Sequence, residues 1–374
     1  MLGDNVKILV FEHTSANHPC LQCANIDQAQ IETSPSEKDL DHATIVVSIL
    51  QSMTPHSFIS ILPPLELPIG NHSLLETIKK SRLINQSLGF QDWKEAVQYK
   101  EKIKTILTLG VPKLIIQSAG NSGRSLSDSY APYPKSKEDP QGTWVRKQGL
   151  YTEWARAADH RALREYLETP EIQESMIVVG SVDSNYQRSS FSNYPGSQKI
   201  IQENFLCALG REVGAMRYQS FEYVKGTSVS TPIVTGAAAL LMSAYPHLTH
   251  LEIKEALLES ADRDFIIDHG DRSLTIIYDP QDPVPSIEHL ERKGYRVTLQ
   301  VFDPQEYGKG ILNLRNAKEY IKLKESNPNH DPTVLRAQMR AELLKEKETA
   351  VIKIKKVVKY LQRRKPIMPP SQRP

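Results

Sequence analysis

The part of the chain before residue 210 alternates short apolar runs with longer segments of helical periodicity. The apolar runs are rich in Val, Ile and Leu, as expected of strands that are buried on both faces. Parallel strands need a crossover connection, which is usually a helix. The alternation therefore predicts an α/β fold with a mostly parallel central sheet and helices on both of its faces. The predicted strands lie at 6–11, 58–62, 83–85, 113–120, 176–182 and 205–209, and the predicted helices at 43–53, 74–81 and 91–110.

Two longer segments, at about 124–172 and 262–306, interrupt this alternation. The first is polar and aromatic and includes the helix-like stretch LYTEWARAADHRALREYLET. The second has two strand-like runs, LTIIYD and YRVTLQVF, on either side of PQDPVPS. We interpret both segments as surface insertions, because long connections of this kind often shape the access to a site.

The net charge of +2 is unevenly distributed along the chain. Residues 322–374 hold 14 Lys/Arg and 5 Asp/Glu, whereas the rest of the chain holds 32 and 39, so that a tail of net charge +9 follows a body of −7. This change predicts one domain over residues 1–321 and a basic extension over 322–374. The extension has a helical run at 332–365 and ends in PIMPPSQRP, which we expect to be extended and disordered.

The helical run of the extension has apolar residues at helical spacing, surrounded by Lys and Arg. A basic amphipathic helix can lie on a membrane surface or bind a protein partner. It can also pack its apolar stripe on the acidic body of its own chain. The sequence leaves these alternatives open, and no nucleic-acid-binding motif is visible in it.

The cellular setting is indicated by three further features of the sequence. There is no run of about 18 apolar residues, and the segment MLGDNVKILVFEH lacks the basic and apolar regions of a signal peptide. The three cysteines, Cys20, Cys23 and Cys207, are too few for a disulfide framework. We therefore expect a cytoplasmic protein without a transmembrane segment.

The stretch GTSVSTPIVTGAAALL, at 226–241, places a serine just before an Ala- and Leu-rich helical run. Pro232 is expected in the first turn of this helix, where its missing N–H costs nothing. Ser228 should then lie at or just before the helix N-terminus, where backbone N–H groups favour developing negative charge. The alternative is that Thr227 and Ser228 only cap the helix.

Three more polar residues lie beside predicted elements. Asn121 follows the strand at 113–120, Glu12 follows the strand at 6–11, and His42 lies at the start of the helix at 43–53. A nucleophile, a base, an acid that orients the base and a donor for the oxyanion are the four parts that serine-dependent acyl transfer needs. Each residue alone is explained by a cap or a turn, but their order along the chain favours catalysis.

Several motifs, in the same order, resemble those of the subtilisin-like serine proteases over nearly all of residues 5–320. The stretch at 226–241 resembles the family's GTSMAxPxVxGxxALL motif. QSAGNSG resembles the segment with the oxyanion asparagine, and INQSLG resembles the substrate-binding strand. MIVVGSVDSNYQRSSFSNYP and YGKGILNLRNA resemble, respectively, the segment after the oxyanion turn and the segment that closes the catalytic domain.

The resemblance implies a three-layer subtilisin-like fold and an endopeptidase that cleaves polypeptides and needs no cofactor. It implies that Ser228 is the nucleophile, His42 the base and Glu12 the acid that orients His42, with Asn121 as the oxyanion donor. The segments implied to bind the substrate backbone are Ser87, Leu88 and Gly89, with Ser118, Ala119 and Gly120 opposite them.

The sequence departs from the family pattern at two motifs. It has EHT where the family has DTG or DSG, and HATIVVS where the family has HGTHVAG. Glu is one methylene longer than Asp, but it can still accept the imidazole N–H, as it does in some hydrolase triads. We expect a working variant of the triad. The alternative is a catalytically impaired pseudoprotease that binds peptides or partners.

One segment also contains residues that could bind zinc: His13, His18, Cys20 and Cys23. The stretch NHP at 17–19 resembles the loop that follows the acid strand in the family. We therefore expect the cysteines to pack locally and expect no metal site.

Overall fold

Seven parallel strands form the central sheet in the computed structural model of the protein. In sheet order they are β2 (Ile26–Gln28), β3 (Phe58–Leu62), β1 (Lys7–Phe11), β4 (Leu83–Gln86), β5 (Leu114–Ser118), β6 (Met176–Val182) and β7 (Phe205–Leu209). Every neighbouring pair in this sheet is parallel. All residues of β4, β5 and β6 are buried, as expected of strands covered on both faces. The predicted α/β fold with a mostly parallel sheet is confirmed.

The structure describes residues 6–12, 26–28, 37–62, 72–89, 93–128, 161–217, 220–281 and 285–342. Contacts between residues divide the chain into two compact units, Met1–Leu314 and Arg315–Pro374. The boundary that the charge pattern predicts near residue 322 stays a prediction. His13, His18, Cys20, Cys23 and most of the first predicted insertion lie outside the described residues.

Helices cover both faces of the central sheet. On one face, α2 and α3 pack on Ile84 and Ile115 through apolar side chains such as Ile78 and Tyr99. On the other face lies the helix Thr227–Ala244, here called the serine helix, which contacts β4 to β7 and α1. The helices of the first unit whose bounds the structure gives are α1 (Glu37–Met53), α2 (His72–Lys80), α3 (Trp93–Leu107), Pro170–Ser175, Lys199–Glu203, Thr227–Ala244, His250–Glu259, Glu288–Glu291 and Pro304–Tyr307, and residues 161–167 are also helical.

Two helices begin before the residue that the sequence predicted, α1 by more than one turn. α1 begins at Glu37, so that His42 lies in its second turn and not at its start. The serine helix begins at Thr227 after an N-terminal Gly226, so that Ser228 is its second residue and Pro232 lies inside it. The prediction that Pro232 occupies the first turn was therefore wrong. In this position the missing N–H of Pro232 is the one that would otherwise bond to the Ser228 carbonyl.

Two smaller sheets follow the central strands along the chain. A hairpin of two antiparallel strands, β8 (Arg211–Arg217) and β9 (Ser220–Lys225), connects β7 to the serine helix. The second predicted insertion forms a three-stranded sheet of β10 (Phe265–Asp268), β11 (Ser273–Tyr278) and β12 (Arg296–Val301). Two of these strands match the predicted runs, whereas β10 and the hairpin were not predicted.

The second unit is described up to residue 342. The helix Leu314–Ser326 begins at the last residue of the first unit, and residues 332–342 are also helical. The rest of the predicted basic helix and the proline-rich end lie outside the described residues. Within the described part of the chain, the serine helix alone is long and apolar enough to cross a membrane, and 72% of it is buried inside the protein, which is typical of a core helix.

Candidate active site

The predicted site residues lie at one edge of the central sheet and at the start of two helices. Glu12 follows β1, Ser87 follows β4 and Asn121 lies three residues after β5. Because these strands are parallel, their carboxyl ends meet at the same edge. His42 and Ser228 come from α1 and from the serine helix, which pack on the same face of the sheet.

Glu12 and His42 form a direct hydrogen bond. The Nδ1 atom of His42 lies 3.0 Å from Oε2 of Glu12. The Glu12 side chain is 4% exposed and the His42 side chain is 36% exposed, so that a buried carboxylate anchors a ring that reaches the surface. Since a carboxylate can only accept, Nδ1 donates, and Nε2 is the ring atom left to exchange a proton.

The second oxygen of Glu12 is in a less favourable position. Oε1 is buried, and none of the residues that the structure describes forms a hydrogen bond with it. A buried polar atom without a partner lowers the free energy of unfolding, typically by about 1–3 kcal/mol. The glutamate therefore orients His42 through a single bond and has a desolvated second oxygen.

Thr227 joins the Asn121 turn to the serine helix. The backbone N–H of Thr227 donates to Oδ1 of Asn121 at 2.8 Å, and its hydroxyl donates to the same oxygen at 3.1 Å. The Thr227 hydroxyl also accepts from the Gly120 N–H at 3.1 Å. With Oδ1 accepting two hydrogen bonds, the amide nitrogen of Asn121 is the group that faces the site.

Ser228 lies opposite that amide across Gly226. A Cβ atom built on Gly226 would come within 3.0 Å of Ser228 Oγ and 3.8 Å of Asn121 Nδ2. Gly226 has φ +149°, a backbone conformation that residues with a side chain rarely adopt. The absence of a side chain there leaves open the space between the hydroxyl and the amide donor. Within the part of the chain that the structure describes, Ser228 Oγ forms no hydrogen bond.

Asn193 holds the turn that contains Asn121. Its side chain is buried, its Nδ2 donates to the Ala119 carbonyl at 2.8 Å, and its Oδ1 accepts from the backbone N–H groups of Ser122 and Arg124 at 3.0 and 3.2 Å. Its own N–H donates to the Gly120 carbonyl at 3.0 Å. One side chain therefore fixes the turn on both sides of Asn121.

The segments predicted to bind the substrate backbone lie next to each other. The Leu88 carbonyl accepts hydrogen bonds from Gln117 Nε2 at 3.0 Å and from the Ser118 hydroxyl at 3.3 Å. Residues 87–89 extend beyond the end of β4 and are not part of a regular strand. Ser87, Leu88, Ser118 and Ala119 are buried, Gly120 is half-buried and Gly89 is exposed.

The hairpin β8–β9 supports the helix that contains His42. Arg217 Nε donates to Oδ2 of the buried Asp41 at 2.7 Å, next to His42 in sequence. The Ser48 hydroxyl accepts from the Met216 N–H at 3.1 Å. Ile45 and Ile49 of α1 belong to an apolar cluster with Ala215, Val224 and Val229 of the hairpin and serine helix. α1 is thus fixed to the segment that leads into Ser228.

Sequence reasoning missed Asn193, Thr227 and the pair of Asp41 with Arg217. Thr227 is in the GTS motif, and the N–H and hydroxyl that hold Asn121 could have been inferred from its position before Ser228. Asn193 lies in the quoted stretch at 176–195, but nothing in its spacing indicates a partner 74 residues earlier. Asp41 and Arg217 are 176 residues apart and have no local signal.

Comparison with known proteins identifies the family. The model of the subtilase family (peptidase S8) matches residues 69–291, which is more than half of the chain and includes Asn121 and Ser228. The match begins after Glu12 and His42.

Two curated subtilisins are similar over part of their length. Subtilisin DY of Bacillus licheniformis is 28% identical over 181 residues, which cover 48% of this chain and 49% of that protein. Subtilisin amylosacchariticus of Bacillus subtilis subsp. amylosacchariticus is 24% identical over 287 residues, which cover 69% of this chain and 61% of that protein. The chain therefore spans less than two thirds of the length of these relatives.

The fold is also similar to that of a solved structure, the patellamide maturation protease PatA. The TM-score is 0.50 at 19% sequence identity, and the match covers 85% of this chain and 97% of that one. Together with the order of the strands and the match over residues 69–291, these similarities confirm the predicted family. The chain belongs to the subtilase family.

Proposed function

We propose that this protein is a serine endopeptidase that hydrolyses peptide bonds with Ser228, His42 and Glu12. The observation that supports this most directly is the 3.0 Å contact between His42 Nδ1 and Glu12 Oε2. It is a specific contact between residues 30 positions apart, and it fixes the ring in the tautomer that a general base needs. The membership of the subtilase family supports the same reaction.

In the proposed reaction, the Ser228 hydroxyl attacks the scissile carbonyl carbon and His42 Nε2 takes the hydroxyl proton. His42 then returns the proton to the leaving amine, and the acyl-enzyme is hydrolysed by water through the same steps. Glu12 stabilises the imidazolium through its hydrogen bond with His42 Nδ1. Since Ser228 Oγ forms no hydrogen bond in the part of the chain that the structure describes, the proposed proton transfer requires the hydroxyl and the ring to come closer in the substrate complex, as is common for such pairs.

The negative charge of the tetrahedral intermediate would be held by Asn121 and by the backbone N–H of Ser228. The Asn121 amide is fixed by its two bonds from Thr227, so that no reorganisation is needed when the charge develops. Preorganised donors of this kind are worth about 10²–10³ in rate each. In the first turn of the serine helix, the N–H groups of Thr227, Val229 and Ser230 already donate to Asn121 Oδ1 and to the Gly226 carbonyl, and the helix dipole favours negative charge beside the Ser228 N–H.

The proposed substrate is an extended polypeptide bound along residues 87–89 and 118–120. The bonds from Gln117 and Ser118 to the Leu88 carbonyl hold these two segments together on one side.

We further propose that the protein acts in the cytoplasm. The role of the basic tail at a membrane or with a protein partner also stays a proposal.

Labelling with a fluorophosphonate probe tests the reaction. We expect covalent labelling of the wild type, none in Ser228→Ala, and a loss of about 10³-fold or more in the labelling rate of His42→Ala. Arg161→Ala, a change at an exposed residue in the insertion, is the control for handling and folding.

Two outcomes would point elsewhere. A wild type that is folded but unlabelled, under conditions that label a known subtilisin, would contradict catalysis and favour the peptide-binding pseudoprotease. Labelling that persists in Ser228→Ala would place the reactive group elsewhere.

A further inference from the structure

The hairpin β8–β9, which leads into the serine helix, has an exposed aromatic surface. Phe221 and Tyr223 are 63% and 75% exposed, far more than aromatic side chains usually are. They are two positions apart on β9, so that both project from the same face. Their rings meet edge to face with centroids 6.1 Å apart. Met216 and Gly214 are their cross-strand partners, and the four residues define the aromatic face of the hairpin.

The opposite face of the hairpin is already occupied. Ala215 and Val224 are buried against Ile45 and Ile49 of α1. The alternation along the strands therefore requires the aromatic face to point away from α1, towards solvent. Large apolar groups that stay exposed on one face of a short ribbon typically mark an interaction surface.

Contacts within the hairpin explain the position of only one of the two rings, that of Phe221. A Cβ on Gly214 would come within 2.2 Å of the Phe221 ring, so that this ring covers the backbone of Gly214. Such cover of a strand glycine by an aromatic ring is a structural device in sheets. Tyr223 is the more exposed ring, and beyond its contact with Phe221 the described residues provide no apolar cover for it.

The position of the hairpin indicates which partner fits this face. β7 ends at Leu209, so that the hairpin projects from the same carboxyl edge of the sheet as Glu12 and Asn121. It is fixed to α1, the helix of His42, through Arg217 and Asp41 and through Met216 and Ser48. His42 is the group that would return a proton to the leaving amine. The part of the substrate that follows the cleaved bond therefore passes on the His42 side of the site.

The number of residues between the two rings and Ser228 limits how far the aromatic face can lie from Ser228. Tyr223 is five residues before Ser228, which is at most about 18 Å, and Phe221 is seven residues before it, at most about 25 Å. An extended substrate advances about 3.3 Å per residue. A substrate with about five to seven residues after the scissile bond would therefore be long enough to reach the aromatic face.

We propose that the aromatic face of the hairpin is a docking surface for apolar side chains of the substrate polypeptide on the leaving-group side of the cleaved bond. This inference rests on the proposed endopeptidase activity and adds to it a preference for long, apolar substrates. The binding energy comes from burial of two aromatic rings that the free protein leaves exposed. The contacts lie outside the site of bond cleavage and act on binding.

The test compares a long substrate with a small probe in the full chain. The long substrate is β-casein, an unfolded and apolar polypeptide, and the small probe is the fluorophosphonate, which reports the reactivity of Ser228 alone. The variants are Tyr223→Ser, the double change with Phe221→Ser, and Tyr223→Phe, which keeps the ring. Phe58→Ser is the matched control, because Phe58 is an exposed aromatic residue at the start of β3, at the opposite end of the parallel strands.

We expect the ratio of casein kcat/KM to labelling rate to fall about tenfold in the double variant, mainly through KM, as removal of an aromatic binding residue typically does. Tyr223→Phe should restore the ratio relative to Tyr223→Ser, and Phe58→Ser should leave it as in the wild type. A ratio that does not change in the double variant would overturn the proposal. So would a shift from dimer to monomer on gel filtration, which would assign the face to a second copy of the chain.

A second measurement separates this inference from the proposed function. If the wild type neither cleaves casein nor reacts with the fluorophosphonate, the endopeptidase proposal fails, but the surface can still be tested by binding. Casein binding to the Ser228→Ala protein should weaken about tenfold when Tyr223→Ser and Phe221→Ser are added. Equal binding with and without those changes would remove the docking surface as well.

Discussion

At the scale of single residues, the motifs predicted the reacting groups but not the groups that hold them. Ser228, His42, Glu12 and Asn121 could be found because the chemistry restricts their residue types and the strand ends restrict their places. Asn193 has three side-chain bonds to the turn of Asn121, yet an asparagine in a polar loop is ordinary in sequence. Such a partner is defined only when β5 and β6 lie side by side.

Replacement of Glu12 tests whether the longer acid is required. Glu12→Gln removes the charge that stabilises the imidazolium, and we expect the labelling rate to fall by about 10³–10⁴-fold, as for other serine proteases whose triad acid is neutralised. Glu12→Asp withdraws the carboxylate by one methylene, about 1.5 Å, from a bond that is now 3.0 Å long. We therefore expect Asp to be less active than Glu, by about 10–100-fold. An Asp variant faster than the wild type would show that the glutamate is only tolerated.

Asn193 is expected to be a positioning residue. Asn193→Ala leaves the Ala119 carbonyl and the N–H groups of Ser122 and Arg124 without their buried partner. We expect kcat on a peptide substrate to fall about 10–100-fold with a smaller change in KM, because the oxyanion donor is displaced more than the substrate-binding segments. The control is Asn185→Ala, an exposed asparagine in the loop after β6. An Asn193→Ala enzyme with normal kcat would remove this role.

At the scale of elements, periodicity predicted the buried strands and failed where burial is one-sided. β4 to β7 are apolar runs that can be read directly. In β8 and β9 charged, aromatic and apolar residues are mixed, since one face packs on α1 and the other is exposed, so that no apolar run exists. α1 was predicted too short because four of its first five residues, EKDLD, are charged, although acidic side chains favour a helix N-terminus.

The contact between the hairpin and α1 makes a prediction for stability. Arg217→Gln removes a charged partner of the buried Asp41 carboxylate. We expect the free energy of unfolding to fall by about 1–3 kcal/mol, because a buried acid loses a charge-assisted hydrogen bond. Asp41→Asn in the Arg217→Gln background should restore part of the loss. Chemical denaturation of the four proteins of this double-mutant cycle measures the coupling, and strictly additive effects would contradict it.

Lys254 of the helix His250–Glu259 predicts a pH dependence. Its ammonium is buried, which lowers the pKa of Lys254 to about 8, and it donates to the Glu174 carbonyl at 3.2 Å and to Asn204 Oδ1 at 2.6 Å. Between pH 8 and the ordinary lysine pKa, the unfolded chain binds the extra proton and the folded chain does not. The group's contribution to stability therefore rises with pH across this window, by on the order of 1–3 kcal/mol.

The measurement compares the wild type with Lys254→Met at several pH values. Between about pH 8 and 10, the free energy of unfolding of the wild type should rise relative to that of Lys254→Met. Lys199→Met, at a lysine whose side chain is 84% exposed, is the control and should show no such slope. A flat difference for Lys254→Met would contradict the lowered pKa.

At the scale of the whole molecule, the sequence shows what the fold does not: a body of net charge −7 and a tail of +9. Net charge is a property of composition and needs no fold to be predicted. The function of the positive charge depends on what the tail binds. Residues 343–374 lie outside the described part of the chain. The charges alone favour an anionic partner, which can be a lipid surface or the acidic body.

Removal of residues 343–374 distinguishes these two partners. The removed segment has 10 Lys/Arg and 2 Asp/Glu, so that truncation changes the net charge from +2 to −6. We expect the full chain to sediment with vesicles that contain phosphatidylserine and the truncated chain to stay in solution. Each basic residue near such a surface contributes about 1 kcal/mol, and 0.5 M salt should abolish the binding because the Debye length falls to about 4 Å.

The same truncated protein shows whether the tail binds its own body instead. If the full chain does not bind vesicles, but truncation lowers the melting temperature by several degrees at low salt and not at high salt, the acidic body is the partner. A truncation that changes neither vesicle binding nor melting temperature would contradict both, and the +9 of the tail would then have to serve a separate protein partner. Fluorophosphonate labelling of the truncated chain should match the full chain in every case, since Ser228, His42 and Glu12 all lie in the first unit.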